Sequence, residues 1–290
     1  MNSPTSINPF WGPPTSHANF CEEDYTITRY IAELINTLTN VTYILYALHG
    51  LRHLPHHPTP SFSRRIPYYG LIGVGLCSAG FHMSLKYHTQ MEAAPLDDLS
   101  MLLTTTPLLH RVLTVNTSAQ TASRVALALG AALLGLAAVH VATNELVLHS
   151  VSFVGSVTVI GVRTMQLIQQ RTVRGSVART ELWRLVRFGA ADMLMAAGVV
   201  IFNVGYAVWL VDGWACQVLR RWRAAVGVPW AFGLELHGWW HIFTGVGAYT
   251  LIAVIDHLVS GAEHGDLQRS VAWPLSSMVA SKTPEAKAKE

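Results

Sequence analysis

The chain has 290 residues, 51% of them hydrophobic and only 13% charged, with a mean hydropathy of +0.32 and a formal charge of +3. Soluble domains carry about 25% charged residues, so an ordinary water-soluble domain is excluded and a polytopic membrane protein is indicated. The small net charge and the confinement of arginines to loops leave no basic surface for nucleic acid, and three cysteines are too few for a disulfide framework or a cysteine-based zinc site.

Residues 1–30 read as a polar N-terminal segment. No basic stretch, apolar core and cleavage site follow Met1, so the first span is expected to do the targeting. The segment leads into "NFCEEDYTITRYIAELINT", where Asn19, Glu22, Glu23, Asp24 and Glu33 supply many hard oxygens. Such oxygens suit calcium, which takes about 6–8 of them, although the EF-hand spacing is absent. The other reading is that the acids charge the N-terminus of the first span, with Thr26 or Thr28 as its N-cap.

Seven apolar stretches follow, near 31–51, 66–87, 97–115, 121–142, 147–168, 185–211 and 233–259, each about the 20 residues a membrane helix needs. The expected fold is therefore all-α: a seven-transmembrane helix bundle over 31–260, with a disordered tail over 261–290 that ends in "SKTPEAKAKE". Arg52, Arg64, Arg65, Arg111, Arg124, Arg171, Arg174, Arg179 and Arg184 follow odd-numbered spans. Arg29, Lys86, Arg220, Arg221 and Arg223 fall on the other side. The bias predicts a lumenal N-terminus and a cytosolic C-terminus.

Ionisable groups inside spans are expensive and mark function. Span two ends in "GLCSAGFHMSLKYH", which puts Ser78 and His82 on one helical face. Span three opens with "APLDDLSM", bringing Asp97 and Asp98, and span seven opens with "LHGWWHIFTG", bringing His237 and His241. In an alternating topology these ends share one side of the membrane, so three imidazoles and a carboxylate can meet at one depth. Three neutral imidazoles plus water is the composition of an open, catalytic zinc site. A lone intramembrane histidine is as readily interhelical glue, but the convergence favours the metal. No glutamate separates His237 and His241 as in HExxH, so Asp97 would have to act as the base.

Together "WGPPTSHANFCEEDYTITRYIAELINT", "FHMSLKY", "LDDLSM" and "LHGWWHIFTG" resemble the alkaline ceramidases, a branch of the seven-helix membrane hydrolases that also holds the adiponectin receptors. The resemblance runs from about Trp11 to Asp256. It implies hydrolysis of the amide of ceramide, including dihydro- or phytoceramide, to a sphingoid base and a fatty acid. It implies an intramembrane zinc held by His82, His237 and His241, with Asp97 as general base and then acid and Ser78 supporting the oxyanion. It also implies a calcium site from Asn19, the Phe20 carbonyl, Glu22, Asp24 and Glu33, and a disulfide between Cys21 and Cys216. Cys77 is expected to be a small buried hydrophobe. Trp239 and Trp240 line the lipid pocket or belong to an interfacial aromatic belt.

The chain departs from the family pattern in two places. Asn19 stands where relatives usually carry aspartate, and "EAAP" is inserted before "LDDLSM", so the family aspartate is matched to Asp97, with Asp98 and Glu92 as substitutes. The expected compartment is the endoplasmic reticulum membrane, with the Golgi as second choice, and no protein partner is expected. Competing readings are a receptor of the adiponectin type, a hydrolase of another lipid amide or ester, and a proton-coupled transporter.

Overall fold

A computed structural model of the chain describes residues 8–16, 19–54, 62–85, 96–143, 146–172, 174 and 198–260. Among them the regular elements are helices: α1 (Leu34–Thr39), α2 (Val41–His53), α3 (Phe62–Ser84), α4 (Leu96–Thr114), α5 (Ala119–Thr143) and α6 (Leu146–Arg171). They continue with α7 (Gly198–Trp214), α8 (Cys216–Val226), a 3-10 turn (Trp230–Leu234) and α9 (Leu236–Ser260). The all-α expectation holds for these residues. Among the described residues three helices, over Ala119–Thr143, Val147–Arg171 and Leu236–Val259, are long and apolar enough to cross a membrane. The tail 261–290 and the first part of the expected sixth span lie outside the described residues.

The first expected span is two helices rather than one, because α1 stops after six residues and α2 restarts beyond Asn40. Asn40 is fully buried and its Nδ2 donates to the Asn36 carbonyl at 2.8 Å, which satisfies a backbone oxygen at the break.

Helix α9 is the axis of the bundle and packs against α1, α2 and α7. Its run Leu251–Ile255 is buried at every position, as expected of a helix that is apolar all round and enclosed by others. The main core gathers Tyr46, Tyr68, Leu71, Val112 and Leu167 around Tyr249 and Ile252. By contrast only 6% of the apolar stretch of α5 is buried, so that helix lies on the outside of the bundle. In α4, Thr104 returns its hydroxyl to the Ser100 carbonyl at 2.8 Å and Thr106 to that of Leu102 at 2.7 Å, satisfying polar groups where no water is at hand.

Two further features set the spacing of the bundle. A Cβ at Gly238 would lie 2.9 Å from Ile35 Cγ2 and 3.3 Å from Thr39 Cγ2, so α1 and α9 touch at this position. At the other end of α9, Asp256 accepts from Arg64 Nε and Arg111 Nη2, both at 2.9 Å, and from Arg64 Nη2 at 2.5 Å. This buried triad joins α3, α4 and α9. It lies fifteen residues beyond His241, about 22 Å along the helix.

Candidate metal centre

His82 sits in the last turn of α3, and His237 and His241 share one face of the first turns of α9. Their side chains are 1%, 3% and 2% exposed. The ring centroids are 4.9 Å (His82 to either partner) and 4.7 Å (His237 to His241) apart. One nitrogen from each ring lies within 4.8 Å of the others, which makes these three a group able to hold one metal ion.

The surroundings select the nitrogens. His82 Nδ1 is hydrogen-bonded to the Glu33 carboxylate, and His241 Nδ1 meets Thr39 Oγ1 at 2.9 Å. With Nδ1 engaged, Nε2 of each ring is left as the ligand atom, the usual arrangement in which an outer partner fixes tautomer and ring orientation. His237 Nδ1 is buried and meets no hydrogen-bond partner. Three neutral imidazoles, converging and with two of them backed in this way, fit zinc by donor type, number and burial.

Ser78 is buried one turn before His82 on the same face of α3. Asp97 and Asp98 stand in the first turn of α4, and their side chains lie outside the described residues.

Asp212, near the end of α7, was missed in the sequence. Its Oδ1 accepts the backbone N–H of His237 at 3.3 Å, and its Oδ2 accepts that of Cys21 at 3.2 Å. It caps α9 from another helix and ties a metal-ligand candidate to the N-terminal segment. The available signal was an acid at the edge of an apolar run, which defaults to function.

Residues 20 and 21 are held through their backbone groups. The Phe20 N–H donates to Glu33 Oε1 at 3.3 Å, and the Cys21 carbonyl accepts from Arg223 Nη2 at 2.7 Å and Arg220 Nε at 3.1 Å. Cys21 and Cys216 form a disulfide with Cα atoms 5.3 Å apart, and Cys77 takes no part in it, lying half-buried. Glu22 accepts the N–H of Ile35 at 2.7 Å and of Asn36 at 2.8 Å. It, not Thr26 or Thr28, therefore caps α1. The chain turns between Thr26 and Ile31 and the helix starts only at Leu34, so the Thr28 hydroxyl accepts from Tyr30 N–H instead.

The acidic residues thus act first as acceptors for N–H groups. Burial pushes the Glu22 carboxyl up to about 7, the nearby Glu33 adding to the rise against the two backbone N–H groups. Burial also raises Asp24, whose Oδ2 accepts from Asn19 Nδ2 at 3.1 Å while Oδ1 is buried without a partner. Of the oxygens of Glu22, Asp24 and Glu33, Asp24 Oδ1 alone is not committed to an N–H donor. The donor set suits calcium in type, and the orphaned oxygen and crowded acids are what a cation would relieve. These oxygens are not gathered as closely as the three imidazoles.

An apolar cavity opens inside the bundle beside the histidines, lined by Tyr43, Thr104, Phe153, Phe202, Trp240 and Thr244 among others. Thr244 lies one turn beyond His241 and meets Tyr43 Oη at 2.5 Å. Trp240 lines this cavity. Trp239 does not: it is 39% exposed and donates its Nε1 to the Gly233 carbonyl at 3.0 Å, which suits the interfacial belt.

These features define a helical membrane protein with a buried three-histidine centre beside an apolar cavity. The chain belongs to the Ceramidase family, whose sequence profile matches residues 12–286. Alkaline ceramidase YPC1 of Saccharomyces cerevisiae is 31% identical over 268 residues, covering 88% of this chain and 80% of that protein. Alkaline ceramidase 3 of Mus musculus is 26% identical over 242 residues, covering 83% and 82%. Alkaline ceramidase of Drosophila melanogaster is 25% identical over 273 residues, covering 90% and 84%. These relatives are named alkaline ceramidases, which are hydrolases acting on amide bonds.

Proposed function

We propose that the chain is an alkaline ceramidase that cleaves the N-acyl amide of ceramide, giving a sphingoid base and a free fatty acid. The observation that carries this is the meeting of His82, His237 and His241 beside an apolar cavity, in a chain of the Ceramidase family. Those three residues would hold zinc. Bound there, zinc would supply Lewis acidity toward the amide carbonyl and lower the pKa of a water to near 7.

The chain's own groups do the rest. Asp97 takes a proton from the attacking water and returns one to the departing amine, as general base and then acid. Ser78 donates its hydroxyl to the carbonyl oxygen as charge develops on it. Glu33 and Thr39 keep the His82 and His241 rings aimed. The two lipid tails lie among the helices, with Trp240 against one of them. Calcium on Asn19, the Phe20 carbonyl, Glu22, Asp24 and Glu33 would fasten residues 19–24 to α1.

In this reading the bundle crosses the endoplasmic reticulum membrane seven times with its N-terminus in the lumen. The Cys21–Cys216 disulfide supports an oxidising compartment on that side.

The test is to incubate purified protein with labelled ceramide, after metal removal and after zinc is restored. Turnover that stops on removal and returns with zinc supports the reading. Turnover that survives complete metal removal, or none on any ceramide with zinc present, overturns it.

A further inference from the structure

We propose that the Phe20 side chain is a plug that shuts the metal centre on its aqueous side, so that an amide reaches it only from within the bundle. The inference rests on the hydrolase reading above and adds a specificity-determining residue to it.

Phe20 lies directly on the imidazoles. Its ring centroid is 3.8 Å from that of His237, with 37° between the planes, and 5.2 Å from that of His82. Phe81 meets it edge-on at 6.3 Å, closing a second side. The three histidines are almost wholly buried, whereas Phe20 itself is half-buried, so its outer face is the boundary between the centre and water. A phenyl and an imidazole ring with centroids 3.8 Å apart leave no room for water between them.

The ring is also held in place by more than its own contacts. The Phe20 N–H is fixed by Glu33, the Cys21 N–H by Asp212, the Cys21 carbonyl by two arginines, and Cys21 Sγ by the disulfide. Glu22, the next residue, is anchored on α1. A loop residue so constrained is built to stay put. On the other side lies the cavity inside the bundle, whose wall includes Trp240 and Thr244, the residues of α9 next to His241 and one turn beyond it. One side is sealed by an aromatic ring and the other is a room lined by apolar groups. A ligand with an alkyl chain can therefore approach through the bilayer, while a water-soluble amide of the same headgroup cannot enter.

The experiment uses the full-length protein in lipid nanodiscs, loaded with zinc. Release of zinc is followed to EDTA, a charged chelator, and to 1,10-phenanthroline, an apolar one. Wild-type protein is expected to lose zinc to phenanthroline faster than to EDTA. Phe20→Ala is expected to speed the loss to EDTA by roughly tenfold or more, the scale set by losing one buried aromatic ring, while Phe20→Trp stays near wild type. The same variants are assayed on long-chain ceramide and on a water-soluble N-acetyl aminodiol. Phe20→Ala should shift the ratio of rates toward the soluble amide.

Equal release to the two chelators from wild type, or no acceleration in folded Phe20→Ala, overturns the plug. The wild-type comparison decides the matter even if Phe20→Ala does not fold. Protein that binds no zinc at all overturns the reading beneath it, and the plug with it.

Discussion

His82 Nδ1 and the Glu33 carboxylate are hydrogen-bonded to each other with both side chains all but inaccessible, 1% and 0% exposed. Glu33 thereby fixes the tautomer of one metal-ligand candidate, and its other oxygen receives the Phe20 N–H. Glu33→Gln is expected to weaken zinc binding by about 10–100-fold, the usual cost of losing a carboxylate behind a histidine ligand. Competition with a zinc indicator measures it. Unchanged affinity would mean that Glu33 serves the N-terminal segment alone.

Ser78 stands one turn from His82, beside the three imidazoles able to hold a metal rather than among them. Ser78→Ala should lower kcat by about 10²–10³-fold while zinc content stays at the wild-type level. Metal analysis beside the ceramide assay checks both halves. Loss of zinc together with activity would move Ser78 from the reaction to the architecture of the site.

Asp256 is bonded to both Arg64 and Arg111 in a buried setting. Asp256→Ala leaves two guanidinium groups there without that partner and should cost about 3–5 kcal/mol. The thermal midpoint in detergent reports the loss. A shift no larger than that of a surface variant would show the triad to be open to water.

Removing the disulfide with Cys216→Ser is expected to cost about 2–4 kcal/mol, since the bond closes a loop of 195 residues in sequence. The same drop should follow reduction of the wild type, and reduction should leave the variant unchanged. Thermal unfolding with and without reductant separates the outcomes.

Calcium should raise the thermal midpoint of the wild type, with a stabilisation of about 2.7 kcal/mol at a hundred times its Kd, and Asp24→Ala should abolish that gain. Magnesium at equal concentration serves as the control. A gain that survives in Asp24→Ala would place the ion elsewhere.

The three histidines were legible because imidazoles in an apolar run stand out and alternate crossings bring them to one side. What the sequence could not display is which distant groups complete them. Glu33, Thr39 and Asp212 reach His82, His241 and His237 from other helices or the loop before them, and periodicity along one element carries no record of such partners. Arg64 and Arg111 read as loop charges, yet both lie within helices and turn inward onto Asp256. The break at Asn40 was hidden for a related reason: apolar residues resume beyond the polar stretch Asn36–Thr42, and the bond from the Asn40 amide to the Asn36 carbonyl is not visible in the sequence.

Gly238 stands between the two imidazoles of α9 and fills the point where that helix meets Ile35 and Thr39. Even a methyl group there would wedge the helices apart and draw His241 away from the Thr39 hydroxyl that steers it. The aim of the imidazole rings is governed by an atom that is missing, and tolerance to substitution at this position should be as low as at the histidines themselves.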